Sequence, residues 1–417
     1  MGGIGVFLRD AWRLARPYFA DSDERWSARG LFAAVLALNL ASVGMTVLFN
    51  FWRADFFNAI ETKDWDSFLA LLLTWRANES GLTAGFAPLA FAFVGIAIYE
   101  VYLNQLLQIR WRRWMIRSFL DAWLDGRAYY KIGIAPDRAA LGTDNPDQRI
   151  AEDIRDFCAS AMTLALGLVS RATTLLSFLA ILWGLSGTGE IFGVPVPGYL
   201  FWIALAYAIA GTAVVHRIGR PLAELAFRQQ RVEADFRYAL VRLRENAEGV
   251  ALLRGEAVEK AALLRRFGAV IGNWRDIMTR TKRMNIAALG YGQAAEIFPI
   301  VLIAPRYFAG QSTMGQLFQT VDAFARVQES LSWAIDVYKS LAQWRAVVSR
   351  LATFQGAVEA ARTDNGGFEI AASADGGVRA SGLTVALPGG AALLRDTSAE
   401  LPAGRSVAVT GPSGSSL

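Results

Sequence analysis

Long segments without charged side chains constrain this chain more than any other feature. Residues 31–52, 82–99, 172–189 and 191–215 contain no Asp, Glu, Lys or Arg, and residues 284–305 contain only Glu296. A helix needs about 17–25 predominantly apolar residues to cross a bilayer. The 54% content of hydrophobic residues and the positive mean hydropathy agree with this reading. The sequence therefore predicts an all-α membrane protein with several spans.

A sixth span is predicted over residues 313–333, although this segment carries Asp322, Arg326 and Glu329. A helix that faced only lipid would not tolerate three charges, so we expect it to face a wet central cavity for part of its length. The first apolar run begins too late in the chain, and without a cleavage site, to be a signal peptide. We expect it to remain in the mature protein.

The basic residues are distributed unevenly between the loops. Residues 186–197 carry no Lys or Arg, and residues 305–312 carry only Arg306, whereas residues 217–285 are rich in both. By the positive-inside rule the last segment is cytoplasmic and the first two are external. We expect a multi-pass protein of the inner (plasma) membrane with both termini in the cytoplasm. Because the basic residues flank the apolar runs, the net charge of +5 does not indicate nucleic-acid binding.

The N-terminal residues 4–19 predict an amphipathic helix that lies along the inner leaflet, in contact with membrane lipid. Its apolar residues recur at helical spacing and its basic residues face elsewhere. The apolar stripe consists of Phe7, Ala11, Leu14 and Tyr18, and the basic residues are Arg9, Arg13 and Arg16.

Three ionisable residues within or at the ends of apolar runs are candidates for a substrate or proton path: Glu100, Arg171 and Glu296. An ionisable group inside a membrane costs about 2.5–3.5 kcal/mol even on insertion scales. The alternative is structural, with Arg171 paired to Glu296 and Glu100 reaching the inner interface. The single Cys158 and the single His216 form no metal-ligand cluster and no acid–base site.

Between the second and third spans, the segment 143–147 reads as the start of a helix. Asn145 is the expected N-cap, Pro146 occupies the first helical position, and Asp147 suits the positive end of the helix dipole. The fourth span is expected over about Pro197–His216, and Pro221 predicts a kink beyond which the chain continues as a long charged helix.

The composition changes near the C-terminus. We predict a membrane domain over residues 1–355, a linker over 356–377 and the beginning of a soluble domain over 378–417, with strands at 383–387 and 406–409. The end of this segment begins a Walker A phosphate loop, in which backbone N–H groups surround phosphates and a Lys supplies charge. The residues that fit its first five positions are Gly411, Pro412, Ser413, Gly414 and Ser415, whereas Ser416 and Leu417 stand where Gly and Lys are needed.

Several separate segments of the chain resemble, in the same order, segments of a known protein family. They are residues 109–114, 123–130, 145–154, 219–222, 233–237 and 242–248. With these segments the chain resembles the membrane domain of ABC transporters of the SbmA/BacA-like and peroxisomal (subfamily D) type. The resemblance implies a six-helix type I exporter fold with long cytoplasmic helical loops, followed by the first strands of a P-loop nucleotide-binding domain.

The family resemblance also implies a mechanism. Intact members bind ATP and Mg²⁺, act as dimers, here a homodimer, and move a peptide-like, lipid-like or other small-molecule substrate. The coupling loops, which transmit closure of the nucleotide-binding domains, would then contain Asn145, Pro146 and Asp147 in one loop and Glu245, Glu248 and Glu256 in the other.

Two other readings remain open at this point. In the first, the chain is a proton-driven transporter like SbmA/BacA-like proteins, and Glu100 and Glu296 carry protons. In the second, the chain is a membrane scaffold without transport activity. Because Ser416 and Leu417 replace the Walker A Gly and Lys, we expect neither tight ATP binding nor ATP hydrolysis from this chain.

Overall fold

A computed structural model describes residues 2–78, 81–134, 145–191, 194–363, 371, 376–386 and 392–408. Within these residues most of the chain is helical. The helices outside the predicted spans are α1 (Gly2–Ala20), α3 (Trp65–Leu73), α5 (Ala128–Ile134), α6 (Pro146–Gln148), α9 (Pro221–Glu245) and α10 (Ala247–Leu252).

The remaining helices contain the six predicted spans. They are α2 (Arg25–Glu61), α4 (Phe86–Leu124), α7 (Ile154–Ser186), α8 (Tyr199–Gly219), α11 (Glu256–Phe308) and α12 (Met314–Thr363). Among the described residues, the helices containing the first five are long and apolar enough to cross a membrane, and α12 is excluded from that group by its composition. The expected multi-pass all-α membrane protein is confirmed, with α12 as the charged sixth helix.

Short antiparallel hairpins separate some of these helices. Strand β1 (Trp75–Asn78) pairs with β2 (Gly81–Ala84), and β3 (Thr188–Ile191) pairs with β4 (Val194–Pro197). The fourth span, expected over about Pro197–His216, is α8, which begins at Tyr199 after Gly198 with a φ of +68°. The kink expected at Pro221 is an interruption at Arg220, and Pro221 is the first residue of α9.

The described chain divides into two compact units. The first unit comprises residues 1–29, 107–161 and 343–417. Its core includes the fully buried side chains of Tyr18, Met115, Phe157 and Phe354. The Tyr18 ring stacks on Trp111, which also contacts Phe157 edge to face. An aromatic cluster therefore joins α1, α4 and α7 within this unit.

The amphipathic pattern of α1 is confirmed, but the predicted contact of its apolar stripe with lipid is wrong. Phe7, Ala11, Leu14 and Tyr18 are all buried. Phe7 meets the ring of Trp344 edge to face, with 5.2 Å between the ring centroids. The stripe assigned to the lipid is therefore covered by protein.

The second unit comprises residues 30–106 and 162–342. Phe178 and Leu182 of α7, Leu200 of α8 and Phe324 of α12 are fully buried in its main core. Outside that core, large apolar side chains such as Phe91, Leu176 and Val301 are exposed on long helices. An apolar exterior of this extent is typical of a surface that faces lipid.

The predicted helix start at 145–147 is confirmed, since Pro146 begins α6, Asn145 is its N-cap residue and Asp147 lies in the first turn. Asn145, however, lies in the left-handed region with a φ of +52° and its side chain forms no cap hydrogen bond. The chain continues from α6 through a π-helical turn over Arg149–Asp153 into α7.

The predicted strand 383–387 lies at the end of strand β5 (Val378–Ala386), which pairs with β6 (Ala392–Leu401). Residues 406–408, however, are irregular rather than extended strand. The domain boundaries at 355 and 377 stay predictions.

Candidate functional site

A row of alternating charges lies along α12 inside the second unit. Asp322, Arg326 and Glu329 are spaced four and three residues apart, which places them on one face of the helix. Two further arginines join this row from neighbouring helices: Arg53 of α2 and Arg171 of α7. We call these five residues the charge row.

Asp322 is the most buried member of the charge row, with its side chain 11% exposed. Its carboxylate accepts a hydrogen bond of 2.9 Å from Arg53 and one of 2.8 Å from the amide of Asn50. Arg326 contacts the same carboxylate at 3.8 Å. The Asn50 amide also donates a hydrogen bond to the backbone oxygen of Gln319. The Asn50 side chain of α2 therefore bonds to both the backbone and a side chain of α12.

Glu329 occupies the more open end of the row, where its side chain is 53% exposed. It lies 3.4 Å from Arg326 and 3.7 Å from Arg171. The predicted pair between Arg171 and Glu296 is therefore wrong: Arg171 pairs with Glu329. Glu296 is exposed on α11 and forms no ion pair with the residues that the structure describes.

Glu100 forms a separate polar contact between α4 and α2. Its carboxylate accepts hydrogen bonds from the Asn39 amide at 2.7 Å and from the Ser42 hydroxyl at 3.0 Å. The carboxylate is half-buried and bonded to α2, so it does not simply extend to the interface as the structural alternative supposed. Sequence reasoning missed Asn39 and Asn50, although polar residues within an apolar run are a usable signal.

The charge row can hold a polar group of a substrate within an apolar environment. Three arginines face two carboxylates, and the guanidinium groups of Arg326 and Arg171 are partly exposed. Partly exposed arginines retain donors for a further partner, because a guanidinium carries five N–H groups.

No metal or acid–base site stands out in the described residues, where no group of three His, Cys, Asp or Glu side chains could hold a metal ion. Burial raises the pKa of the Cys158 thiol far above its ordinary value, and the sulfur lies 3.6 Å from Met115 Sδ. A buried, protonated thiol of this kind is unreactive.

The predicted coupling residues occupy two different places. Glu245 ends α9, Glu248 lies in the first turn of α10 and Glu256 begins α11, and all three are exposed at the turn between the two long helices. A cavity of about 570 Å³ opens beside α10. It is lined mainly by apolar side chains, among them Phe236, Leu243, Val250 and Phe267.

The other coupling segment belongs to the first unit. Asn145 and Asp147 are exposed, and Pro146 is half-buried at the start of α6. The π-helical turn that follows is fixed by Asp153, whose carboxylate accepts hydrogen bonds of 2.9 Å from both Arg149 and Arg350. Residues 135–144 lie outside the described residues, as do the Walker A positions Gly411, Pro412, Ser413, Gly414 and Ser415.

Comparison with known proteins decides the family. The model of the ABC transporter transmembrane region 2 family matches residues 14–308, which include α2, α4, α7, α8 and α11. The chain belongs to this family of ABC transporter membrane domains. The ABC membrane domain is of the subfamily D type, as its relatives indicate.

Among these relatives, the ABC transporter D family member 2, chloroplastic, of Arabidopsis thaliana is 33% identical over 81% of this chain and 44% of its own length. The inner membrane ABC transporter ATP-binding protein YddA of Escherichia coli is 32% identical over 81% of this chain and 58% of its own length. The human lysosomal cobalamin transporter ABCD4 is 27% identical over 54% of this chain. The chain thus spans about half the length of the first two of these relatives.

Proposed function

We propose that this chain is the membrane domain of an ATP-driven transporter that moves a peptide-like, lipid-like or other small-molecule substrate. The charge row carries this proposal, because charged side chains in a membrane-spanning unit are costly, pair with one another, and commonly mark the path of a polar substrate. The names of the relatives, which describe ABC transporters and ATP-binding proteins, support the same function.

Coupling to ATP would enter through the exposed turn formed by Glu245, α10 and Glu256. Exposed apolar residues at this turn, Leu252 and Leu253, would dock onto a nucleotide-binding domain that binds ATP and Mg²⁺. An apolar side chain of such a domain would occupy the cavity beside α10. Asn145, Pro146 and Asp147 would form the second coupling contact.

A homodimer is the proposed assembly. Helices α9 and α11 pack on each other and carry large exposed apolar side chains, among them Phe227, Tyr238, Leu264 and Trp274. Several of these residues lie in segments too charged to face lipid, so a second copy of the chain would cover them.

The proposed location is the inner (plasma) membrane, with both termini in the cytoplasm. Single cysteines at Gln311 and Glu256, in a Cys158→Ala background, test this topology in intact cells with an impermeant maleimide. We expect Gln311→Cys to be labelled and Glu256→Cys to be labelled only after permeabilisation. Labelling of both positions from outside would contradict the topology.

The coupling proposal is tested without knowledge of the substrate. The chain is fused after Gly414 to the ATP-binding domain of YddA and reconstituted in liposomes with a spin label at Glu248→Cys in each copy. We expect ATP and Mg²⁺ to shorten the distance between the labels, and substitution of the Walker Lys in the fused domain to abolish the change. A change driven by a pH gradient, and insensitive to ATP, would instead favour proton coupling and refute the proposal.

A further inference from the structure

Helices α8 and α9 are interrupted at a proline, yet the backbone between them keeps helical geometry. Pro221 carries no backbone N–H, so it cannot bond the carbonyl group of Arg217 one turn earlier. Sharp kinks in long helices occur mostly at such positions. Arg220 nevertheless has right-handed helical angles, with a φ of −46° and a ψ of −45°. We call this interruption the break; the chain keeps its course through it although the helix is intrinsically weak there.

Two side chains of α11 bond to the backbone on either side of the break. The Arg280 Nε donates a hydrogen bond of 2.8 Å to the backbone oxygen of Ile218, at the end of α8. The Asn273 amide donates one of 3.0 Å to the backbone oxygen of Leu225, in the first turns of α9. Because both acceptors belong to the backbone, these bonds fix the position of the main chain itself.

A third bond of the same kind lies deeper in the apolar runs of α8 and α11. The Tyr207 hydroxyl donates a hydrogen bond of 2.8 Å to the backbone oxygen of Tyr291. From Tyr207 to the next two bonded positions the chain advances by 11 and 18 residues, and the partner on α11 moves back by the same 11 and 18. These steps are about three and five helical turns. The three bonds, which we call the staples, therefore lie on one face of an antiparallel pair whose register does not slip at the break.

Asn273 belongs to a buried polar network between α9 and α11. Its side chain is 2% exposed, and its amide also donates a hydrogen bond of 2.8 Å to the side-chain oxygen of Gln229, which is buried as well. The Gln229 amide in turn donates one of 2.8 Å to the carboxylate of Glu233. Buried amides are costly unless they are bonded, and a buried Asn between packed helices is the best-attested device for fixing register. The network therefore favours one alignment of α9 on α11.

Helix α11 is continuous where its neighbour is interrupted. It runs from Glu256 to Phe308, and its first proline is Pro299, far from the break. Close packing is incomplete at the break, where a cavity of about 360 Å³ is lined by Pro221, Leu225 and Arg280 among others. Bonds from the continuous helix therefore hold the interrupted one in line at a place where packing alone does not.

We propose that Arg280 and Asn273 are positioning residues that hold α8 and α9 in line across the break, so that α8 follows α11 when the turn around α10 moves. This proposal rests on the proposed function, in which a nucleotide-binding domain displaces that turn. Helix α11 leads from the turn into the membrane without interruption, whereas α8 is connected to the turn only through the break. With the staples, α8, α9 and α11 move as one body; without them, the displacement reaches α11 and is lost for α8.

The staples are tested first in the full chain, without nucleotide, by hydrogen–deuterium exchange. Arg280→Met removes one donor, and Asn273→Leu with Gln229→Met replaces two bonded amides by apolar groups, an exchange that is nearly neutral for stability. Arg275→Met is the control, because Arg275 is exposed and has no bonded partner among the described residues. We expect the amides of residues 222–226 to exchange on the order of tenfold faster when the staples are removed, with Tm close to that of the wild type. Exchange equal to that of the control would overturn the proposal.

The coupling role is tested in the fusion with the ATP-binding domain of YddA. Spin labels are placed on exposed positions of α8 or α11, as Ile209→Cys or Ile297→Cys in a Cys158→Ala background. We expect ATP and Mg²⁺ to change the distance between the two copies at both positions. In the variant without staples, to which Tyr207→Phe is added, we expect the change to persist at Ile297 and to fall at Ile209. Arg280→Lys, which retains a donor, should preserve more of the response at Ile209 than Arg280→Met does.

Failure of this proposal and failure of the proposed function give different results. If labels at the turn around α10 do not respond to ATP in the parent fusion, the proposed function fails, and the exchange experiment still decides on the staples. If the turn responds and Ile209 responds equally with and without staples, the positioning role is refuted and the proposed function stands. Equal loss at Ile209 and Ile297 would also refute it, since α11 would then not be the continuous path.

Discussion

Substitution of Asp153 by Asn is expected to destabilise the first unit strongly. The Asp153 side chain is 4% exposed, and its carboxylate bonds to Arg149, which is almost as buried, and to Arg350, which is 39% exposed. The variant keeps the shape of the side chain but removes its charge. Arg149 would then be buried without a counter-charge.

The magnitude follows from the burial of the two arginines. Removal of one partner from a buried ion pair costs about 3–5 kcal/mol. We take about 3 kcal/mol, because the more exposed Arg350 can turn toward solvent, and pairs at the surface contribute only about 0–1 kcal/mol. For a cooperative unit of about 150–250 residues, each kcal/mol lowers Tm by about 2–4 °C. The expected loss is therefore roughly 6–12 °C.

Thermal unfolding of the purified full chain in detergent measures this effect, with Asp156→Asn as the matched control. Asp156 lies three residues further along and pairs with Arg155, and both side chains are about half exposed. We expect Asp156→Asn to change Tm by no more than about 2–3 °C. A Tm of Asp153→Asn within the same range would refute the argument that the buried pair fixes the π-helical turn.

The same carboxylate predicts how stability depends on pH. Burial raises the pKa of Asp153, but the hydrogen bonds and charges of Arg350 and Arg149 outweigh burial and hold it below the ordinary value of 3.8. A depressed pKa in the folded state adds stability that is complete above the unfolded-state pKa and is lost as pH falls through the folded-state pKa. Below about pH 4 the wild type should therefore lose Tm more steeply than Asp153→Asn.

Two further predictions concern the second unit. Arg171→Glu should lower Tm in detergent, because the new carboxylate at position 171 would face Glu329. Adding Glu329→Arg should restore part of the loss by re-forming the ion pair with opposite polarity, and Arg326 beside position 329 limits the recovery. No recovery in the double variant would contradict the pairing. Gly211→Ala should destabilise by about 1–3 kcal/mol, because the added methyl group would overlap the ring of Tyr291, whereas Gly290→Ala, where nothing lies within 4 Å, should not. Equal Tm values for the two alanine variants would show that the ring moves aside without cost.

The sequence predicted the helices and the all-α membrane-protein class well, because the signals for both are local. An apolar segment inside a bilayer must form hydrogen bonds within itself, so residues 31–52 lie in α2 and residues 86–99 lie in α4, whereas the start of the run 82–99 belongs to strand β2. Pro221 likewise fixed a helix boundary through its own ring. The uncharged runs and the segment 313–333 predicted six spans, and the family resemblance added the type I exporter fold.

The partners of individual charges were beyond the reach of the sequence. Glu329 and Glu296 are both carboxylates in predicted spans, and only the packing of α12 beside α7 decides that Arg171 meets Glu329. Helical spacing showed that Asp322, Arg326 and Glu329 share a face, but not that Asn50 and Arg53 lie against it. Contacts between helices depend on the rotation and depth of each helix, which nonlocal packing sets.

Helix α1 shows the same division within a single element. Its sequence alone determined that it is an amphipathic helix with apolar residues at Phe7, Leu14 and Tyr18, because periodicity is a property of one chain segment. An apolar stripe, however, gains similar free energy from burial in lipid and from burial in protein. Only the tertiary structure, with Trp111 and Trp344 already in place, decided that this stripe faces protein and left Trp12 outside.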